Sequence, residues 1–202
     1  MISADILVPF LLASIALDIA PGPDNLFVLT QSALHGKKAG VLVTLGLCTG
    51  LIFHTSLVAL GLAVIFQESW ALGALKLFAA TYLLYLAYKT LAANLVNLNE
   101  SMKLPNAALY QRGIIMSSTN PKVSVFFLAF LPQFISADTG SFVSQVFILG
   151  GVFAVTAFCV FSGIAYAGGR LQQQLISSPN IQIMLNRVAA CVFTALAANL
   201  LL

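Results

Sequence analysis

The chain has 202 residues, 60% of them hydrophobic and 7% charged, with a formal net charge of +3. A soluble domain carries roughly 25% charged residues, so this composition cannot cover a water-facing surface and excludes a water-soluble fold. The mean hydropathy of +0.99 points to a lipid bilayer as the surroundings, and the small, dispersed positive charge, without aromatic-basic interleaving, argues against a nucleic-acid partner.

A helix needs about 20 apolar residues to cross a hydrocarbon core of ~30 Å. On that criterion six spans are predicted. Span 1 runs from about Pro9 to Leu34. Asp5 and the lack of Lys or Arg before it do not fit a secretory signal peptide, so this span is expected to stay in the mature protein. Its middle carries Ala20-Pro21-Gly22-Pro23-Asp24-Asn25. Both prolines lack an N–H and clash with the carbonyl four residues back, which strips Leu17 and Ile19 of their helical partners. Such a break survives within a membrane only where it faces protein or a watery cavity.

Span 2 is Val41–Phe66, with His54 as its titratable group. Gly46, Gly50, His54 and Gly61 fall on one helical stripe, and Gly36 and Gly40 extend the small-residue spacing toward the preceding loop. Stripes of this kind let a second helix approach closely and are read here as packing. Span 3 is about Ala71–Ala92, ending in Tyr82, Tyr85, Tyr88 and Lys89, an expected interfacial anchor. A polar, weakly structured segment, Ala93–Leu109, follows. Span 4 is about Gln111–Phe134, interrupted at Asn120-Pro121-Lys122; span 5 is Phe142–Ala167, with Gly150-Gly151; span 6 is about Met184–Leu202.

Lys37, Lys38, Lys89, Lys103, Arg112, Arg170 and Arg187 follow the odd-numbered spans, whereas the other side has Lys76, which can snorkel. The positive-inside rule therefore places the odd loops in the cytoplasm and both termini outside. Spans 1–3 and 4–6 are each odd in number, so the second half enters from the opposite face. Gly22-Pro23-Asp24-Asn25 lines up with Asn120-Pro121-Lys122, both near the midplane. The expected fold is thus an all-α integral membrane domain, residues 1–202, of six transmembrane helices in two inverted three-helix repeats with helices 1 and 4 broken. Repeat 1 covers about 1–92, a polar loop about 93–110, and repeat 2 about 111–202. Matching interrupted helices in an inverted repeat point to a secondary-transporter site.

An ionisable group at depth costs about 2.5–3.5 kcal/mol on the insertion scale, which makes Asp18, Asp24, His54 and Lys122 functional candidates. Asp24 follows Pro23 and falls in the first turn of the second half-helix. There it either stabilises that helix or binds an ammonium or a proton. Asp18 lies near the stranded carbonyls, as partner to Lys122 or as a cation site. Asn120 is placed to cap the mirrored half-helix with Pro121 at its first position. Lys122 then opposes the helix dipole and calls for an anion, either Asp18 or Asp24 or a substrate carboxylate. His54 is a proton carrier or a neutral interhelical group. Together the breaks suit a small polar or zwitterionic solute. Cys48, Cys159 and Cys191 stand singly in apolar runs and read as filler. No ligand-spaced cluster suggests a metal, and no cofactor is expected.

The sequence resembles the LysE/RhtB amino-acid exporters, the family of the lysine exporters and the homoserine/threonine resistance proteins. The resemblance rests on Pro21-Gly22-Pro23-Asp24; Gly36, Gly40, Gly46 and Gly50 leading to His54 and Gly61; Leu75-Lys76 with Tyr82-Leu83-Leu84; and Arg112-Gly113, Asn120-Pro121-Lys122, Phe126-Phe127 and Leu131-Pro132-Gln133-Phe134. It implies an exporter of amino acids or close derivatives in the bacterial inner membrane, driven by proton antiport, not an enzyme. It implies further that Pro21, Gly22, Pro23, Asp24, Asn25, Asn120, Pro121 and Lys122 line the translocation site. Asp18, Asp24 and His54 are the proton-coupling candidates. Ala80, Ala87, Ala190 and Ala197 depart from the glycines common in the family, and Asp18 is an acid outside its pattern. The rival readings are export of another small solute or cation on the same fold and, behind it, an intramembrane enzyme. The enzyme lacks a Gly-x-Ser-x-Gly or His-Glu-x-x-His signature. A homodimer is a further expectation, with lipid-facing glycines covered by a second copy.

Overall fold

The computed structural model describes residues 3–20, 22–65, 69–92, 104–136, 140–177 and 179–201. Every element described is helical: α1 (Ala4–Ile19), α2 (Pro23–His35), α3 (Lys37–Ile65), α4 (Ser69–Leu91), α5 (Asn106–Ser118), α6 (Pro121–Val125), α7 (Phe142–Ser177) and α8 (Pro179–Leu201). A π turn over Phe126–Phe130 and a 3-10 turn over Leu131–Phe134 prolong α6.

Among the described residues, α3 and α7 each hold a stretch long and apolar enough to cross a membrane, Lys37–Gly61 and Phe142–Gly168. Two further helix pairs meet the same test when each is taken as one span. α1 and α2 meet at a bend of 59°, and α5 and the Pro121–Phe134 segment at 45°. The breaks have the predicted cause. Pro23 and Pro121 each occupy the first positions of the helix that follows, where the missing N–H costs nothing.

Several expected boundaries move. α3 begins at Lys37 rather than Val41, because Gly36 at φ +86 turns the chain abruptly after α2. That left-handed conformation favours glycine. Gly36 is therefore a turn residue and not part of the packing stripe. α5 begins at Asn106, so the last residues of the expected polar segment are helical; its part over 93–103 lies outside the described residues. α7 continues to Ser177, well past Ala167, and α8 starts at Pro179 rather than near Met184.

Gly40, Gly46 and Gly50 of the stripe pack as expected. A Cβ on Gly46 would collide with the Tyr110 carbonyl, and one on Gly113 with that of Val43, so α3 and α5 touch backbone to backbone. Gly50 faces Ser117, where a Cβ would come within 2.6 Å of the Ser117 Cβ. Gly61 meets nothing within 4 Å and takes no part. α2 wedges between α3 and α7, with Ser32 filling the space left by Gly40 and Gly168. α4 packs chiefly against α8, and Ala80, Ala87, Ala190 and Ala197 are all buried, each at most 5% exposed. Lys89 stacks 5.6 Å from the Tyr85 ring centroid, beside Tyr82, forming the anticipated aromatic-cation group.

A chain of phenylalanines fills the space beyond the second break. Phe126 packs at a tilt against Phe10, Phe130 and Phe153 at centroid distances of 5.8, 5.1 and 5.0 Å, and Phe134 closes edge-on against Phe10 at 5.3 Å. Such pairs contribute about 0.5–1.5 kcal/mol beyond their buried area. They fix the π turn against α1 and α7.

Candidate functional site

The two helix breaks meet. α1 ends at Ile19 with its last carbonyls deprived of helical partners, and the side chains that take them come from elsewhere. Lys122 Nζ donates to the Leu17 carbonyl at 3.0 Å and to the Ala20 carbonyl at 3.1 Å. Asn25 Nδ2 donates to the Asp18 carbonyl at 2.7 Å. A cation at a helix C-terminus also complements the dipole. Lys122 thereby serves the first break although it belongs to the second.

The reverse link runs through Asn120. Its Oδ1 accepts the Lys122 backbone N–H at 3.0 Å, the expected N-cap of α6. Its Nδ2 donates to Asp24 Oδ2 at 2.5 Å. One carboxamide therefore caps its own half-helix and holds the acid at the start of the other. His54 Nε2 lies 2.9 Å from the Ser117 carbonyl, in the last turn of α5. Here too a side chain from another element meets a carbonyl in the last turn of a helix that ends at a break. The His54 ring rests against Phe127 and Phe53 at centroid distances of 5.7 and 5.5 Å.

Asp18, Asp24, His54, Asn120 and Lys122 are all 5% exposed or less, and Asn25 is 8%. Asp18, Asp24 and Lys122 line a common cavity of about 10 Å³, completed by Leu17, Leu47, Leu51, Ser117, Val123, Ala157 and Phe161. That is room for roughly one water molecule, so the site is closed in this conformation. Asp18 Oδ2 and Asp24 Oδ1 are buried there without a protein hydrogen-bond partner. Lys122 spends its hydrogen bonds on carbonyls and no ion pair joins it to either acid. It remains their neighbouring positive charge. The anion expected beside Lys122 is thus supplied at a distance by both acids, while contact falls to carbonyl dipoles.

Not every predicted site residue lines the cavity. Pro23 and Pro121 are exposed, so they shape the breaks without lining the cavity; Pro21 lies outside the described residues. Gly22 is extended (φ −164, ψ 178), so its backbone needs no glycine. A Cβ there would lie 3.4 Å from Lys122 Nζ. Sequence reading missed the α7 wall, Ala157 and Phe161, and the neighbouring Thr156 beside Asp18. No motif marks those positions. Leu47 and Leu51 could have been found, since each directly follows a stripe glycine.

A family model described as LysE type translocator matches residues 15–202. The chain is 29% identical over 195 residues to the leucine efflux proteins of Salmonella typhimurium (strain LT2), Salmonella paratyphi A and Salmonella choleraesuis. Each alignment covers 95% of this chain and 92% of the relative. No solved structure matches the chain.

Proposed function

We infer the function from one premise: the chain belongs to the LysE type translocator family. It is a multi-pass membrane transporter, not an enzyme, and it exports an amino acid or a close derivative. The observation that carries the site is the meeting of Asp18, Asp24 and Lys122 around one buried cavity at two opposed helix breaks.

The chemistry follows from charge and hydrogen-bond accounting. Two carboxylates share one ammonium, leaving one negative charge in excess in a medium where an unmatched charge is costly. The excess carboxylate binds a substrate ammonium when the site is loaded and a proton when it is empty, so the two compete for one group. This exchange makes the transporter a proton antiporter, with Asp18 and Asp24 as carriers and His54 as a further titrating group. The substrate carboxylate is received by Lys122 and the N-terminus of α2. Asn25 and Asn120 set the geometry of both breaks.

The arrangement also favours one six-span domain of two inverted repeats, about 1–92 and 111–202, joined by the polar loop. In that scheme α3 corresponds to α7 and α4 to α8, and the contact of each pair supports an axis running between them. The basic loops then face the cytoplasm of a bacterial inner membrane and both termini face out. Gly61, Gly151 and Gly163 have nothing within 4 Å. They give a second copy of the chain a close approach as a homodimer.

The test uses inside-out vesicles containing the purified protein under an imposed proton gradient, with a panel of labelled amino acids. Uptake of one class, lost with uncoupler and in Asp24→Asn, is expected. Uptake that is indifferent to uncoupler would remove the antiport, and no uptake from folded protein would remove amino-acid export.

A further inference from the structure

The cavity at the breaks has two unlike walls, and the second has no part in the charge chemistry. It is built by Leu47 and Leu51 from α3 and by Ala157 and Phe161 from α7. Each pair is spaced by four residues, which puts it on a single helix face. All four side chains are 5% exposed or less, so none of them is spent on lipid.

The four side chains themselves carry no donor or acceptor. Ser117 lines the cavity beside them, and Ser162 Oγ, next to Phe161, is buried without a partner. Thr156 also lies against the Asp18 carboxyl, and the nearby threonines bond within their own helices. Thr44 donates to Gly40, Thr55 to Leu51 and Thr156 to Phe153, each at 2.8–2.9 Å. The Cys48 thiol is directed to the Ala154 carbonyl at 3.7 Å. His54 is engaged with the Ser117 carbonyl and two phenyl rings. A substrate whose ammonium and carboxylate are held at the breaks must place its side chain against these four residues.

We propose that Leu47, Leu51, Ala157 and Phe161 form the side-chain subsite and restrict transport to amino acids with uncharged aliphatic side chains. This rests on the breaks being the translocation site. Against these four side chains a cationic group finds no acceptor, and it loses its hydration without replacement unless it displaces the substrate ammonium from Asp18 or Asp24. A hydroxyl is rejected less sharply, by about 100-fold at most, because an apolar wall discriminates weakly against a small polar group. Size is read by the closing of the walls, since the resting cavity of about 10 Å³ must open to fit any side chain. A misfit of one methylene changes the specificity constant by roughly 10–200-fold.

The experiment measures kcat/KM for leucine, norleucine, alanine, phenylalanine and lysine in proteoliposomes of the full chain. Norleucine and lysine have the same carbon skeleton and differ by the terminal ammonium. Wild-type protein is expected to favour norleucine over lysine by at least about 100-fold; equal rates would overturn the subsite while leaving export intact. Leu51→Ala should raise the phenylalanine-to-leucine ratio about tenfold, and Ala157→Leu the alanine-to-leucine ratio by as much. Ratios within one variant cancel losses of folded protein. Two active variants with unchanged ratios would assign these residues to packing. Failure of the wild-type protein to move any of the five would overturn the export reading itself and the subsite with it.

Discussion

Lys122→Met keeps most of the lysine stem and removes its charge and three donors. In the structure those donors satisfy the Leu17 and Ala20 carbonyls, and the charge lies beside Asp18 and Asp24. Removing one partner of a buried charge group costs about 3–5 kcal/mol, because the remaining charge is left uncompensated. At 2–4 °C per kcal/mol, the apparent Tm in detergent should fall by roughly 10 °C. Adding Asp18→Asn to Lys122→Met returns the net charge of the site from two negatives to the single one of the wild type. The double variant should therefore recover about 1–3 kcal/mol of that loss, a coupling typical of neighbours in one network. It should still not transport, since the carbonyls of α1 and the substrate carboxylate lack their donor. Both measurements are needed: melting of the four proteins of the cycle, and proton-driven uptake by each. A Lys122→Met protein that melts with wild type and transports would refute the claim that this lysine joins the two breaks. Additive melting losses would refute the charge coupling alone.

Asn120→Ala removes the N-cap of α6 and the donor to Asp24 Oδ2. Loss of the cap costs about 0.5–2 kcal/mol, read as a lower melting temperature, and transport should weaken mainly through KM. Gly113→Ala drives a Cβ into the Val43 carbonyl and should cost about 1–3 kcal/mol by overpacking. Gly73→Ala, with nothing within 4 Å, should leave melting unchanged; equal behaviour of the two would contradict the α3–α5 contact. His54→Gln retains a donor for the Ser117 carbonyl but cannot titrate. Transport should persist, with its pH dependence flattened. An unaltered pH profile would reduce His54 to an interhelical hydrogen bond.

Proline chemistry made the breaks legible. Pro23 and Pro121 at the start of their helices, Asp24 in a first turn and Asn120 as a cap are all consequences of missing N–H groups within a few residues. Which donor reaches a stranded carbonyl was not legible, because it depends on how the halves meet. Lys122 lies 105 positions from Leu17 in the chain. The π turn shows the same limit. Phe126–Phe130 is an unremarkable apolar run, yet the Leu131 N–H reaches back to the Phe126 carbonyl. Pro132 next in line cannot bond the Leu128 carbonyl, and packing of Phe126 against Phe10 and Phe153 decides how the backbone absorbs that loss. The end of α7 was misplaced for a different reason. Gly168, just past the expected end at Ala167, is required for close contact with Ser32 and Leu29, so its glycine reports packing and not termination.

The structural and functional readings of the break residues, which the sequence sets against each other, describe the same atoms. Lys122 is both the cap of α1 and the cation nearest the acids; Asn120 is both the cap of α6 and the ligand of Asp24. Any substrate group that engages Lys122 or Asp24 therefore competes with bonds that hold one half of the chain to the other. Binding and rearrangement are linked through shared donors, without a separate relay. This also makes Asp24→Asn the most informative single substitution. Its carbonyl oxygen can still accept from Asn120 Nδ2, so the inter-half bond survives while the charge is lost. A transport defect in that variant, with unchanged melting, would report the carboxylate's charge and not its hydrogen bond.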